Sequence, residues 1–477
     1  MLVAPARAQA PDPLPPPAQF PATAAGALGR ALVEAVNSPD TTAIGRFLAA
    51  SHAPQSQQAR AELDSLLRAL RQQGGGVTPR SIRQASSGAV VVGLWADRHP
   101  GAGVSVVLAP HADDSARLDR LSVGRVLRPG DALRRFPAER MDDARMAGLI
   151  EAELRRLEAL DRLSGVVLVA RGDDVLYEGT FGMEDPRAGR RMTTRSRFHL
   201  ASIPKMITAV AVGQLVEEGK LRFDDTLGAL LPELPWTAPA RGITLRHLLT
   251  HTSGMPRPRE DRPDPPTSIE HVARFAAEPL QFAPGQGHAY SNEGFITLAA
   301  VVEKVTGRRF QDHVRERILV PAGMHTFAYD APADSLADRA FPQPREEGDL
   351  FGVRPRQVKS RGWGGGGAGG GHASARDLLA FSRAVVEDRL LSPAMMDTLQ
   401  TPRVPWDGGH YGYGFSLREV AGRPTAGHRG GGPPGMALCN DMDFFLDGSY
   451  TVIVLTNYDA PFCAEVKDAL LALVAAN

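Results

Sequence analysis

Three short patterns carry side chains able to take a proton off an alcohol. In FHLASIPKMITAVAVGQLVEEGKL, residues 198–221, Ser202 stands three places before Lys205. Tyr290 and Asn292 flank a serine just ahead of the apolar run in GQGHAYSNEGFITLAAVVEKVTG, and His428, Gly430 and Gly431 lie in TAGHRGGGPPGMALCN. A hydroxyl one helical turn from a lysine in apolar surroundings is a candidate nucleophile. Desolvation disfavours the ammonium form, and a neutral amine accepts the hydroxyl proton. A tyrosine near a lysine can serve as phenolate base and then as acid toward a leaving group, while an asparagine can hold a substrate carbonyl or the lysine. Glycines let a backbone approach a ligand closely, and an amide N–H there, with that of Ser202, would make an oxyanion hole.

Each pattern alone also has a plain reading. Ser202 is then an N-cap beside a solvated lysine, Asn292 a second cap, Tyr290 a half-buried ring, and the histidine part of a glycine-rich surface loop. Local elements position the candidates. Pro204 suits a first helical turn, where its missing N–H needs no partner, so a helix is expected to start at 201–203 and to end at Gly219. Ser202 then sits where free N–H groups and the helix dipole favour developing negative charge, with Lys205 on the same face. A second helix should follow Asn292, with Phe295, Leu298, Ala299, Val302 and Val305 on one face.

The wider chain divides near residue 140. Helical spacing over 25–50 and 58–73, with Leu63, Leu66, Leu67 and Leu70 on one stripe, precedes four strand-like runs. This describes a small α+β accessory domain over 25–135, after a Pro-rich linker within 1–24. The second domain, 140–477, begins with a charged helix and the runs SGVVLVARG and DVLYEGTFGMED. It ends with apolar runs around the Asp447-Gly448 turn, a hairpin signal, and a last helix. Strands at both ends with helices between imply one antiparallel sheet closed from two chain ends, with a helical lobe inserted.

Taken in order, Ser-x-x-Lys, Tyr-x-Asn and His-x-Gly resemble the serine β-lactamase-related hydrolases. The nearest branch is that of class C β-lactamases, D-alanyl-D-alanine carboxypeptidases and β-lactamase-fold esterases. ITLRHLLTHTSGM (243–255) and AGGGHASARDLLAF (368–381) look like the same family, and the resemblance covers roughly 145–477. It implies an α+β fold, an α/β/α sandwich beside a helical lobe, preceded by a small cone-like α+β domain. It further implies Ser202 as acylated nucleophile, Lys205 as activating partner, Tyr290 as base and acid, and Asn292 as a positioning group. His428 and Gly430 match the Lys-Thr/Ser-Gly strand motif of that family, with the Ser202 and Gly431 amides as oxyanion donors. The reaction is a two-step acyl transfer to water, with no metal and no cofactor.

The departure is His428. It stands where β-lactamases hold the substrate carboxylate with lysine, and a histidine is mostly neutral at pH 7. Ester or amide cleavage is therefore expected over β-lactam hydrolysis. Arg429 is discounted as a replacement, since neighbours in a strand point to opposite faces. The alternatives are a β-lactamase or D-Ala-D-Ala carboxypeptidase and, from another class, a catalytically silent penicillin-binding or sensor protein. His247 and His251 lack the glutamate of a HExxH zinc site, and the glycine run at 362–372 lacks a Gly-Lys-Ser/Thr ending.

Composition narrows the partners. Lys+Arg and Asp+Glu number 54 each, which gives no basic surface for nucleic acid or an anionic membrane. No apolar stretch approaches the ~20 residues of a membrane span. The expected partner is a small-molecule or short peptide substrate. MLVAPARAQAPDPLPPP carries the small-x-small pattern Ala8-Gln9-Ala10 of a signal-peptidase site without a charged n-region, and reads as a truncated export signal, hence a periplasmic or secreted protein. Cys439 and Cys463 are open to pairing or to burial as free thiols.

Overall fold

A computed structural model describes residues 16–477 apart from 52–63, 65–66, 69, 73–74, 85–89, 98–102, 111–117, 126–132, 257–266, 330–335, 344, 350–351, 356–365, 433–435 and 459–461. Leu63, Leu66, the signal-like segment and the first four residues (362–365) of the 362–372 glycine run fall outside the described residues. The chain forms two compact units, one from the described residues of Met1–Ala132 and Glu346–Arg354, the other from Leu133–Arg345 and Pro355–Asn477.

In the first unit, helices α1 (Ala24–Asn37) and α2 (Ala43–Ser51) accompany an antiparallel meander. Its strands are β1 (Val77–Gln84), β2 (Val90–Ala96), β3 (Gly103–Pro110) and β4 (Leu118–Arg125). Leu28, Leu32 and Val36 of α1 share a core with Val92 and Leu94 of β2 and Val104, Val106 and Leu108 of β3. Helical spacing on α1 thus meets period-two alternation on the strands.

The second unit begins with α3 (Asp143–Ala159) and the hairpin β5 (Gly165–Arg171) and β6 (Asp174–Phe181). Helices of the lobe follow, among them α4 (Lys205–Glu217), α5 (Leu245–Leu249) and α6 (Asn292–Thr306). After α7 (Ala375–Val386) come β7 (Val404–Trp406), β8 (Gly409–Tyr411), β9 (Ser416–Val420), β10 (Arg423–Gly431), β11 (Cys439–Phe445) and β12 (Tyr450–Thr456). Helix α8 (Phe462–Ala475) closes the chain.

The strands form one eight-stranded sheet, ordered β7-β8-β9-β10-β11-β12-β5-β6. All neighbours are antiparallel, and Ile453 of β12 sits opposite Leu168 of β5. Alternation divides the central strands between two cores. Val167, Val169, Val452 and Val454 pack with α3 and α8, while Val166, Leu168, Ile453 and Leu455 pack with the lobe and α7. The result is an α/β/α sandwich with an inserted helical lobe. Helix α4 is apolar all round and buried from Lys205 to Leu215, which fits its place in the centre of the lobe.

A disulfide joins Cys439 of β11 to Cys463 of α8, which settles the fate of both cysteines.

Candidate active site

Ser202 is not in the first helical turn. Helix α4 starts at Lys205 with Pro204 as its cap residue, and Ser202 sits in the hydrogen-bonded turn before it. Ala201 is left-handed at φ +48°, and the turn after it is closed by three-residue bonds, Lys205 N–H to the Ser202 carbonyl and Met206 N–H to that of Ile203, before Thr208 N–H reaches Pro204. The other end is as expected: Gly219 adopts φ +68°, and its N–H and that of Lys220 close back onto Val216 and Leu215.

Two glycine contacts hold the Ser202 turn against its neighbours. A Cβ on Gly369 would lie 2.0 Å from the Ala201 carbonyl oxygen, and a Cβ on Gly430 would lie 2.1 Å from that of Leu200. Only glycine lets the 366–371 loop and strand β10 come so close to the Ser202 turn.

Lys205 is wholly buried. Its Nζ lies 3.2 Å from Ser202 Oγ, donates to Asn292 Oδ1 at 2.8 Å, and donates to the backbone carbonyl of Ala368. Burial pushes this amine down to about 7, with Glu293 acting weakly in the opposite sense. A neutral lysine has two N–H bonds and one lone pair. Two carbonyl oxygens, which only accept, take the two N–H bonds. The lone pair is left for the Ser202 hydroxyl.

Asn292 reaches this place because Ser291, and not Asn292, caps α6. The Ser291 hydroxyl accepts from the Gly294 N–H at 3.0 Å, so Asn292 becomes the first helical residue. Phe295, Leu298, Ala299 and Val302 are all buried, and the Gly307 turn ends the helix at φ +68°. The Tyr290 ring stands over Lys205, 4.8 Å from Nζ to the ring centroid. It stacks on Trp406 with ring planes 22° apart, and on His251 at 4.3 Å.

His428 is buried on β10 and makes two hydrogen bonds. Its Nδ1 lies 2.7 Å from the Arg429 carbonyl oxygen and its Nε2 lies 2.9 Å from the Tyr411 hydroxyl. A carbonyl accepts only, so Nδ1 carries the proton and Tyr411 donates to Nε2. Burial, with the nearby Lys205 charge, pushes His428 down to about 3, so the ring is neutral at pH 7.

A cavity of about 240 Å³ is lined by Ser202, Tyr290, His428 and Gly431 among others. It thus gathers residues from all three sequence patterns. Arg429 also lines it, contrary to the strand-alternation argument, because the cavity runs on to Arg418, Asp441 and Lys467. Arg429 is nevertheless spent: its Nε donates to Asp441 at 3.1 Å, and its guanidinium is 3.6 Å from Asp407.

Sequence reasoning missed Tyr411, Trp406 and the Ala368 carbonyl. The first two stand on a two-residue hairpin, Trp406 pairing with Gly409 across Asp407-Gly408. The Asp-Gly dipeptide is the signal that would have located that hairpin. His247 and His251 go elsewhere than to a metal: His247 Nδ1 accepts from the Thr244 N–H in a capping box, and His251 Nδ1 accepts from the Ser291 N–H.

Comparison with known proteins agrees with this geometry. The family model described as Beta-lactamase matches residues 143–476. Esterase EstB of Burkholderia gladioli is 29% identical over 384 residues, spanning 70% of this chain and 97% of its own. D-aminopeptidase of Brucella anthropi is 28% identical over 284 residues, spanning 56% of this chain and 51% of its own. The crystal structure of a penicillin binding protein from Bacillus halodurans aligns with a TM-score of 0.59 at 29% identity, covering 70% of this chain and 99% of that one. The chain belongs to the β-lactamase family and is a serine hydrolase.

Proposed function

We propose that Ser202 is the acylated nucleophile, with Lys205 as its base, Tyr290 as proton carrier to and from the leaving group, and Asn292 as the anchor of the lysine. The Ser202 proton passes to the Lys205 lone pair as Oγ bonds to the substrate carbonyl carbon. The oxyanion so formed is met by the amides of Ser202 and Gly431. The carbon–oxygen or carbon–nitrogen bond then breaks, the leaving group takes a proton from the Lys205–Tyr290 pair, and water repeats the sequence on the acyl-enzyme.

The observation that carries this reading is the buried Lys205 nitrogen, 3.2 Å from Ser202 Oγ, with both other donors already engaged. The substrates are small esters or amides. The neutral His428 supports that class, as do the names esterase and D-aminopeptidase among the relatives. The disulfide supports a protein that matures in an oxidising compartment outside the cytoplasm. Among the described residues no helix is long and apolar enough to cross a membrane.

A fluorophosphonate or fluorescent penicillin should label the wild-type protein, and Ser202→Ala should abolish both labelling and hydrolysis of a p-nitrophenyl ester. Equal labelling of the mutant would remove Ser202 from its role.

A further inference from the structure

The cavity beside Ser202 holds cations, and each of them is ion-paired with an aspartate of the same cavity. Of the described residues lining it, Arg418, Arg429 and Lys467 are the permanent cations. Arg418 lies 2.9 Å from Asp407, Arg429 lies 3.1 Å from Asp441, and Lys467 lies 2.6 Å from Asp443. Lys205 has its two N–H bonds on Asn292 and Ala368 and turns its lone pair to Ser202. That leaves His428 as the described lining side chain beside Ser202 that could acquire positive charge.

Tyr411 closes that route. Its ring is wholly buried at the end of β8 and packs edge-on to His428 with centroids 5.8 Å apart. The ring centroid of His251 lies 4.9 Å from that of Tyr411 and that of Trp406 5.9 Å away. The strand holds the backbone as well, with Tyr411 paired to both Val404 and Ser416. The hydroxyl therefore stays 2.9 Å from Nε2, while Nδ1 is occupied by the Arg429 carbonyl. A ring saturated in this way has no donor left for a ligand. We propose that Tyr411 is a specificity-determining residue: by donating to His428 it removes the carboxylate clamp from the site, so that the enzyme selects esters and amides lacking a carboxylate next to the scissile bond.

The inference rests on the acyl-transfer reading of Ser202. The groups facing His428 agree with it. They are Lys205 from α4, Arg429 from β10, Tyr411 from β8, and the rings of His251 and Tyr290, and none of them is an anion that would favour a charged imidazole. Removing the Tyr411 hydroxyl removes a hydrogen bond to the neutral ring, and so makes protonation easier.

Two measurements test this. Nitrogen-15 spectra of histidine-labelled wild-type protein should show His428 as the neutral Nδ1–H tautomer from pH 8 down to pH 5. An Nε2–H tautomer, or a titration near the ordinary ~6.5, overturns the proposal without any reference to activity. Separately, kcat/KM is compared for a neutral p-nitrophenyl ester and its carboxylate-bearing counterpart at pH 5.5. The wild type should prefer the neutral ester, and Tyr411→Phe should narrow that preference by about tenfold, as a one-unit rise in the ring's pKa would do. An unchanged ratio in an active, folded Tyr411→Phe protein overturns the role of Tyr411 and leaves Ser202 untouched. Failure of Ser202 to label or to hydrolyse either ester removes the acyl-transfer reading instead, and the tautomer then still decides the Tyr411–His428 contact.

Discussion

The Asn292 amide oxygen sits 2.8 Å from the Lys205 nitrogen and orients it. With the Ala368 carbonyl it takes two of the three tetrahedral positions around Nζ, leaving the third for Ser202. The proposed activation of Ser202 thus rests on a hydrogen-bond count as much as on proximity.

The first expectation concerns pH. Lys205 accepts a proton only when neutral, and its buried amine is held down to about 7. The ratio kcat/KM should fall about tenfold per pH unit below that value and level off above it. Lys205→Arg, charged at every accessible pH, should stay inactive throughout. A flat profile from about pH 5 to 9 would mean that Lys205 is not the base.

Asn292→Asp tests the orienting contact directly. A carboxylate 2.8 Å from Nζ favours the ammonium form and should carry the acid limb upward by at least about one unit. Activity at pH 7 then drops about tenfold and returns at higher pH. A uniform loss at all pH values would show that Asn292 acts on substrate rather than on the lysine.

Gly430→Ala should separate geometry from chemistry. The new Cβ would fall 2.1 Å from the Leu200 carbonyl oxygen and force β10 away from the Ser202 turn. A displacement of that order should lower kcat/KM by about a hundredfold. Gly431→Ala makes the control for stability, because its nearest new contact is 3.6 Å away. Thermal melts should drop for the first variant and hold for the second.

The Cys439–Cys463 bond closes a loop with a sequence separation of 24 between β11 and α8. Chain-entropy arguments assign such a closure about 3 kcal/mol. Reducing agent, or Cys463→Ser, should lower the denaturant midpoint accordingly, while Ser202 still labels in the fraction that remains folded.

Much of this was legible in the chain. Ser202, Lys205, Tyr290, Asn292, His428 and Gly430 stand out by residue type and short spacing, and the structure brings Ser202, Lys205 and Asn292 within hydrogen-bond distance and Ser202, Tyr290 and His428 to one cavity. The Asp447-Gly448 turn marks the hairpin of β11 and β12. What escaped depends on contacts between distant segments. The Ala368 carbonyl is a backbone atom 163 residues from Lys205, and no residue type announces it. Tyr411 looks like one aromatic among several until register places it against His428, 17 residues on. The helix starts later than 201–203 because proline at 204 is as compatible with a cap as with a first turn, and the three-residue hydrogen bonds around Ser202 and Ile203 are not written in the residue types. Strand alternation sets Arg429 aside, yet the structure places it in the cavity lining. Its partners, Asp441 and Asp407, lie on β11 and in the β7–β8 turn, which strand alternation cannot reveal.

The pairing of β12 with β5 has a bearing on synthesis. Strand β12 pairs with β5 from Tyr450–Arg171 to Thr456–Gly165, so the β5–β6 hairpin leaves the ribosome with the β5 edge bare and keeps it so until residues 450–456 have been translated. A nascent chain stalled before residue 450 should be insoluble, and supplying β11 to α8 as a separate fragment should rescue it in trans.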